Sequence, residues 1–185
     1  MLLNNLNEFG DRSRSHGIPK EVLIQQAQAC GLPIEFSSTT WENYEVNFIE
    51  KLRSIKNSFE ITHAVYGDID IDSHRIWEEK VSNKAGLQAV LPLWQQDRLE
   101  LVNQMIGTGI KALIVSCQKN LANELLGKVI DHSLLPIFNK LGIDACGENG
   151  EYHTLVVDGS LHKTDLKVSF EGFSTHGNYA FLNFD

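Results

Sequence analysis

The residues best suited to chemistry stand in DACGENGEYHTLVVDG, residues 144–159. Gly147, Glu148, Asn149, Gly150, Glu151, His153 and Thr154 crowd together there and run into the apolar Leu155-Val156-Val157. A turn at a strand mouth needs few such residues for its own geometry, so the excess points to a site. The glycines permit positive φ and close backbone approach. Exposed amides of such a turn can hold an anion, while Glu148 and Glu151 can hold a cation or a cationic substrate group. Cys146 and His153 are metal-ligand types, but one Cys, one His and two Glu in this order match no zinc spacing, so no metal site is assigned. The plainer alternative is a tight turn with solvated acids.

A second group lies in YGDIDIDSHRIW, residues 66–77. Asp68, Asp70 and Asp72 alternate, but the glycine and closing glutamate of an EF-hand loop are out of place. Gly67-Asp68 ends the β-like run ITHAVY, where open α/β sheets bind ligands, so Asp68 reads as functional. Asp70 and Asp72 read as ordinary turn residues, with Asp72 or Ser73 as the N-cap of the next helix. Arg75 in the first turn of that helix opposes the helix dipole, and a ligand or a plain surface position both account for it. A third segment, DRSRSHGIPK at 11–20, holds His16 and Gly17 just ahead of a helix, where an anion would sit. By itself it is equally a solvated connector.

Alternating strands and helices must position these groups. Helical spacing runs over 20–30, 41–56, 73–85, 97–106, 121–126 and 131–141, and β-like runs fall at 32–37, 61–66, 89–91 and 110–115. Pro19 before the first helix and Gly31 after it are the expected punctuation. IKALIV, 110–115, is apolar throughout, as a strand of a parallel sheet buried on both faces would be, and Ser116-Cys117 then falls at its carboxyl end. After Gly142 the character turns β-rich, with pieces at 155–157, 166–170 and 179–184. The implied fold class is α/β: a Rossmann-like parallel sheet with helices on both faces over 1–142, and a small β-rich lobe over 143–185.

The totals bound the function. The chain has 185 residues, 42% hydrophobic and 22% charged, which suits a soluble globular protein. Three isolated cysteines support neither a disulfide framework nor a zinc ribbon, and a reducing cytoplasm is the expected compartment. No signal-peptide pattern and no apolar run near the ~20 residues of a membrane span occur, so no membrane partner is expected. The formal charge of −8 with scattered Lys and Arg disfavours nucleic acid.

Taken in order, SRSHG (13–17), YGDIDIDSHR (66–75), LPLWQQD (91–97), LLGKVID (125–131) and CGENGEYHTLVVDG (146–159) resemble the diphthine–ammonia ligase family of PP-loop ATP pyrophosphatases, or adenine-nucleotide α-hydrolase-like proteins. The resemblance spans about Leu2 to Leu161. It implies a HUP-type sheet that binds ATP with Mg²⁺, cleaves it to AMP and pyrophosphate, activates a substrate carboxylate and lets ammonia displace AMP. The product is an amide, in diphthamide biosynthesis on elongation factor 2, or on an unknown acceptor in bacterial relatives. His16, Gly17, Gly67, Asp68 and Arg75 match the nucleotide-side motifs. Gly147, Asn149, Gly150, His153 and Thr154 match the acceptor-side turn, with Glu148 and Glu151 as its catalytic carboxylates.

One departure stands out. The family's strand, S-G-G-x-D-S loop and helix, roughly 20–30 residues, have no match in this sequence. LLNNLNEF at the start resembles the family's second strand. Either the true start lies upstream of Met1 or the chain is a shortened relative; for the chain as written, the expectation divides between a ligase compromised in triphosphate binding and a non-catalytic or partner-dependent remnant that binds acceptor or nucleotide. A sheet lacking that strand exposes an edge and is expected to pair with a partner or with itself. A PP-loop enzyme acting on tRNA is the third reading, weakened by the acidic charge.

Overall fold

The computed structural model describes residues 1–185. The chain folds as β1 (Leu2–Leu6), α1 (Lys20–Cys30), β2 (Ile34–Ser38), α2 (Tyr44–Phe59), β3 (His63–Val65), α3 (Asp72–Ala85), β4 (Gln88–Val90), α4 (Arg98–Gly107), β5 (Lys111–Gln118), α5 (Ala122–Leu125), α6 (Leu135–Leu141), β6 (Tyr152–Asp158), β7 (Phe170–His176) and β8 (Tyr179–Phe184). β1 pairs with β2 and β3 with β4, both parallel, and each pair is joined through a helix. The remaining strands form one antiparallel sheet in the order β6-β5-β8-β7. The expected α/β class with parallel strands flanked by helices and a β-rich C-terminal part is what the chain adopts.

Local chemistry accounts for most of the boundaries. Gly31, at φ 65°, closes α1 by giving amides of the cap to Ala27 and Gln28. Asp97 caps α4, its Oδ1 accepting the Glu100 amide at 2.9 Å. In α2, Phe48, Ile49, Leu52 and Ile55 recur at helical spacing and are buried, the first three against α3 and Leu87. The N-cap of α3 is Ile71, which caps with no side chain; Asp72 instead accepts from Arg75 at 3.1 Å. The expected capping by Asp72 or Ser73 is therefore absent. The carboxylate has a nearer cation to satisfy.

β5 departs from expectation in direction. It runs antiparallel to both neighbours, and Ala112–Cys117 is fully buried. Ala112 and Ile114 meet α4, α5 and α6 on one face, while Leu113 and Val115 meet α1, Leu6 and Leu155 on the other. Cover on both faces produces a continuous apolar run whatever the strand direction, so IKALIV could not reveal its polarity. Ser116 and Cys117 lie inside this strand at 0% exposure, not at an open rim.

The loop from β1 to α1 packs on the same sheet through Gly17. At φ 70°, a Cβ there would stand 2.6 Å from Cδ1 of Phe181. Gly109 has a similar φ of 81° with nothing within 4 Å. Gly17→Ala should therefore lose about 1–3 kcal/mol more stability than Gly109→Ala, the difference being overpacking rather than backbone strain. Urea unfolding midpoints of the two variants measure it, and equal losses would contradict this packing account.

Candidate functional site

The turn from Asp144 to Glu151 is held by its own carboxylates. Glu151 Oε1 accepts the Asp144 amide at 3.0 Å and Asn149 Nδ2 at 3.2 Å, and Oε2 accepts the Asn149 amide at 3.0 Å. Asp144 Oδ1 accepts the Cys146 amide at 3.2 Å, and its Oδ2 accepts the Glu148 amide at 2.9 Å. Backbone N–H groups in a non-repetitive turn need partners, and these two acids supply them. The far side is tied to the sheet: Tyr179 donates its hydroxyl to the Gly150 carbonyl at 2.8 Å, and the Gln118 amide donates to the Glu151 carbonyl at 2.9 Å. Gly147 sits at φ 74° with the Tyr152 ring and carbonyl 3.1 Å from where a Cβ would be.

Glu148 is the acid the turn does not use. It is half-buried and lines an apolar cavity of about 400 Å³, as the only charged residue among walls that include Ile69, Leu101, Met105, Tyr152 and Thr154. Burial, then the nearby Asp68 carboxylate, holds its pKa above the ordinary carboxylate value, with Arg98 opposing. The crowding of acids thus resolves into two that build the turn and one that the turn presents.

Arg98, which sequence reasoning passed over, joins the two acidic segments. Its guanidinium takes Asp70 bidentately at 2.8 and 2.6 Å and Asp144 at 2.8 Å. Asp70, read as bland from sequence, anchors this pair, and the hydrogen bond from Arg98 lowers its pKa. The signal for Arg98 was the alternation of acids at 68, 70 and 72, which calls for a compensating cation from elsewhere.

Around Asp68 the groups are close-set. His74 Nδ1 lies 2.6 Å from Asp68 Oδ1. Glu78 is buried at 4% exposure, its Oε2 has no partner, and burial followed by Asp68 pushes its pKa up to about 9. The Arg75 guanidinium lies over the Trp94 ring, 4.9 Å from its centroid, and its buried Nε has no partner. Gln95, at φ 61°, pins this loop by donating its amide to the Ile69 carbonyl. Gly67 faces open space.

His16 and His153 form a separate group with Tyr179, beside the Gly150 end of the turn. The two imidazoles meet edge to face at 4.8 Å, and Tyr179 stacks on His153 at 6.3 Å. Burial, then the neighbouring His153, lowers His16 to about 4, and burial lowers His153 as well, so both are neutral at physiological pH. Of the expected site residues, the fold thus gathers Asp68 and Glu148 at one locus and His16 and His153 at another. Glu151 is turned inward on the turn, and the exposed Asn149 donates its side-chain amide to it.

Two family models, described as the diphthamide synthase N-terminal and C-terminal domains, match residues 1–89 and 97–183. The chain belongs to the diphthine–ammonia ligase family. It is 33% identical to the diphthine–ammonia ligase of Bos taurus over 149 residues, covering 77% of this chain and 56% of that protein. The Homo sapiens counterpart is 32% identical with the same coverage, and that of Danio rerio 26% identical over 84% of this chain and 68% of its own length. The chain therefore spans just over half the length of the bovine and human relatives. Between the two matched domains lies the loop carrying Trp94 and Gln95, and the Asp70–Arg98–Asp144 bridge crosses from one match to the other. No helix is long and apolar enough to cross a membrane.

The Glu78 carboxyl makes this family member's stability depend on pH. Its folded pKa is raised, so the native state holds a proton that the unfolded chain releases. The stabilisation is present below the ordinary 4.5 and is lost as pH climbs toward about 9. Denaturant midpoints should fall across that window, and Glu78→Gln should flatten the slope. An unchanged slope in the variant would remove Glu78 as its source.

Proposed function

We propose that the chain carries the acceptor side, and part of the nucleotide side, of an ATP-dependent amide-forming ligase acting on a diphthine-type carboxylate with ammonia as the nitrogen donor. The presentation of Glu148 supports this reading most. It is a single half-buried carboxylate on a rigid turn, over an apolar cavity and beside Asp68. Such an acid can hold a cationic substrate group, or ammonia as ammonium, against the reacting carboxyl. Asp144 and Glu151 position the turn, and we infer that Glu151 acts through Glu148 rather than on substrate.

The nucleotide side fits ATP in part. Arg75 keeps a buried donor unpaired, Gly67 leaves room, and Asp68 can face a phosphate-bound Mg²⁺. ATP supplies the leaving group that makes a carboxylate reactive toward ammonia. The glycine-rich phosphate loop of the resemblance has no counterpart in these 185 residues. This favours a second reading, in which the chain binds acceptor or nucleotide without turnover or works with a partner. His16 and His153, both neutral, can serve as hydrogen-bonding groups beside the turn but not as a cationic clamp for phosphate.

Equilibrium binding separates the roles. Glu148→Gln should weaken acceptor binding about tenfold, the loss of one charge-assisted contact, while leaving Mg·ATP affinity unchanged. Asp68→Ala and Arg75→Ala should weaken Mg·ATP binding instead. Equal loss of nucleotide affinity in Glu148→Gln would move the turn to the nucleotide side. Pyrophosphate release by residues 1–185 with ATP, ammonium and acceptor should stay at background; robust release would remove the partner-dependent reading.

A further inference from the structure

Cys30 and His162 stand 132 residues apart in the chain and meet at the far end of β6 from the acidic turn. Cys30 is the last residue of α1, and His162 lies in the loop after β6. The Cys30 Sγ is 3.8 Å from His162 Nε2 and 3.9 Å from Nδ1. Whichever tautomer a neutral imidazole takes, one of its nitrogens can accept the thiol proton. Main-chain bonds fix the meeting: Lys163 donates its amide to the Ala29 carbonyl at 2.7 Å, and His162 donates its own to Gly159 at 2.9 Å. Both side chains are half-buried. Their charged neighbours are Lys163, whose ammonium lies against Gly31, and Asp158, which Lys111 binds at 2.7 Å.

The pair opens onto a cavity of about 280 Å³. Leu2, Leu32, Ile110, Val156 and Leu161 wall it, and no Lys, Arg, Asp or Glu does. Such a cavity suits a small apolar ligand with one polar atom. A charged disulfide such as that of glutathione would bury carboxylates there without a cation to meet them. The other two cysteines lack the arrangement. Cys117 is 0% exposed, and burial pushes its thiol up to about 11. Cys146 also lines an apolar cavity, but its Sγ donates to the Arg98 carbonyl at 3.1 Å. Burial, then Asp144, push that thiol up to about 12.

We propose that Cys30 and His162 form a covalent capture site for small apolar α,β-unsaturated carbonyl compounds. The Cys30 Sγ bonds to the β-carbon, and the π pair of the alkene shifts to the α-carbon. His162 takes the thiol proton and returns it to that carbon. Every atom of the electrophile stays in the adduct, and no oxidant or reductant takes part. Gln26 and Ser160, the other polar side chains of the cavity, supply donors for the carbonyl oxygen as it gains charge. The whole of β6, Tyr152–Asp158, separates this site from the acidic turn.

The probe is trans-2-hexenal. Incubated with the 185-residue chain at neutral pH, it should add its full mass to Cys30 at least tenfold faster than to Cys146 or Cys117, as read by peptide mass mapping. His162→Gln keeps a polar side chain there but no base, and should slow Cys30 at least tenfold. The rates of the variant and the natural chain should meet at about pH 10, where a thiol ionises unaided. Lost packing alone would leave them apart at every pH. Leu161 is 74% exposed, so Leu161→Asp should fold. It should slow hexenal but not iodoacetamide, which needs the thiolate and no apolar cavity. Equal rates at Cys30 and Cys146 would overturn the proposal. So would an unchanged rate in folded His162→Gln, or oxidised glutathione consuming Cys30 faster than hexenal does.

Discussion

The Arg98 guanidinium is the one cation among Asp70, Asp144 and Glu148, and the geometry of the candidate site depends on it. It binds Asp70 with two hydrogen bonds and Asp144 with one, and Asp144 in turn holds the amides of Cys146 and Glu148. Three acids in so small a volume would repel one another without such a centre. The planar fork of arginine can serve two carboxylates from different segments at once, which a lysine ammonium does less well. Its place at the first position of α4, directly after the Asp97 cap, gives it a fixed origin from which to reach both loops.

Proximity to Arg98 sorts the acids by task. Asp70 and Asp144 are neutralised by it and become structural. Glu151 takes no hydrogen bond from it and is satisfied by amides of the turn. Glu148 feels burial and Asp68 more than it feels Arg98, so its carboxyl is held above its usual value. Glu78 is driven the same way and has no cation beside it. A cation near Glu148 would offset both the burial of its carboxyl and the neighbouring Asp68 charge.

The two parallel pairs and the antiparallel sheet are separate ladders joined by packing. α1 covers one face of the antiparallel sheet, while α2 and α3 cover the strands β3 and β4. The core beneath the turn is therefore complete, with Ile114, Leu125 and Phe138 almost fully buried. β1 and β3 each share a ladder with one strand, and residues 12–14 bond the other side of β1 at Asn5 and Leu6.

The order of elements, the apolar face of α2, the end of α1 at Gly31 and the special character of residues 144–154 were all legible in the residues themselves. Each is written in spacing or in a backbone requirement that few residue types meet. The end of the β-like run before Asp68 was legible too, since β3 stops at Val65. What the sequence could not express was which distant group each side chain would meet. The direction of β5, the burial of Ser116 and Cys117, the pairing of Asp70 with Arg98 and the inward turn of Glu151 all depend on contacts made across the fold. A carboxylate has the same letter whether it builds a turn or faces a substrate; only its neighbours, set by tertiary packing, decide which.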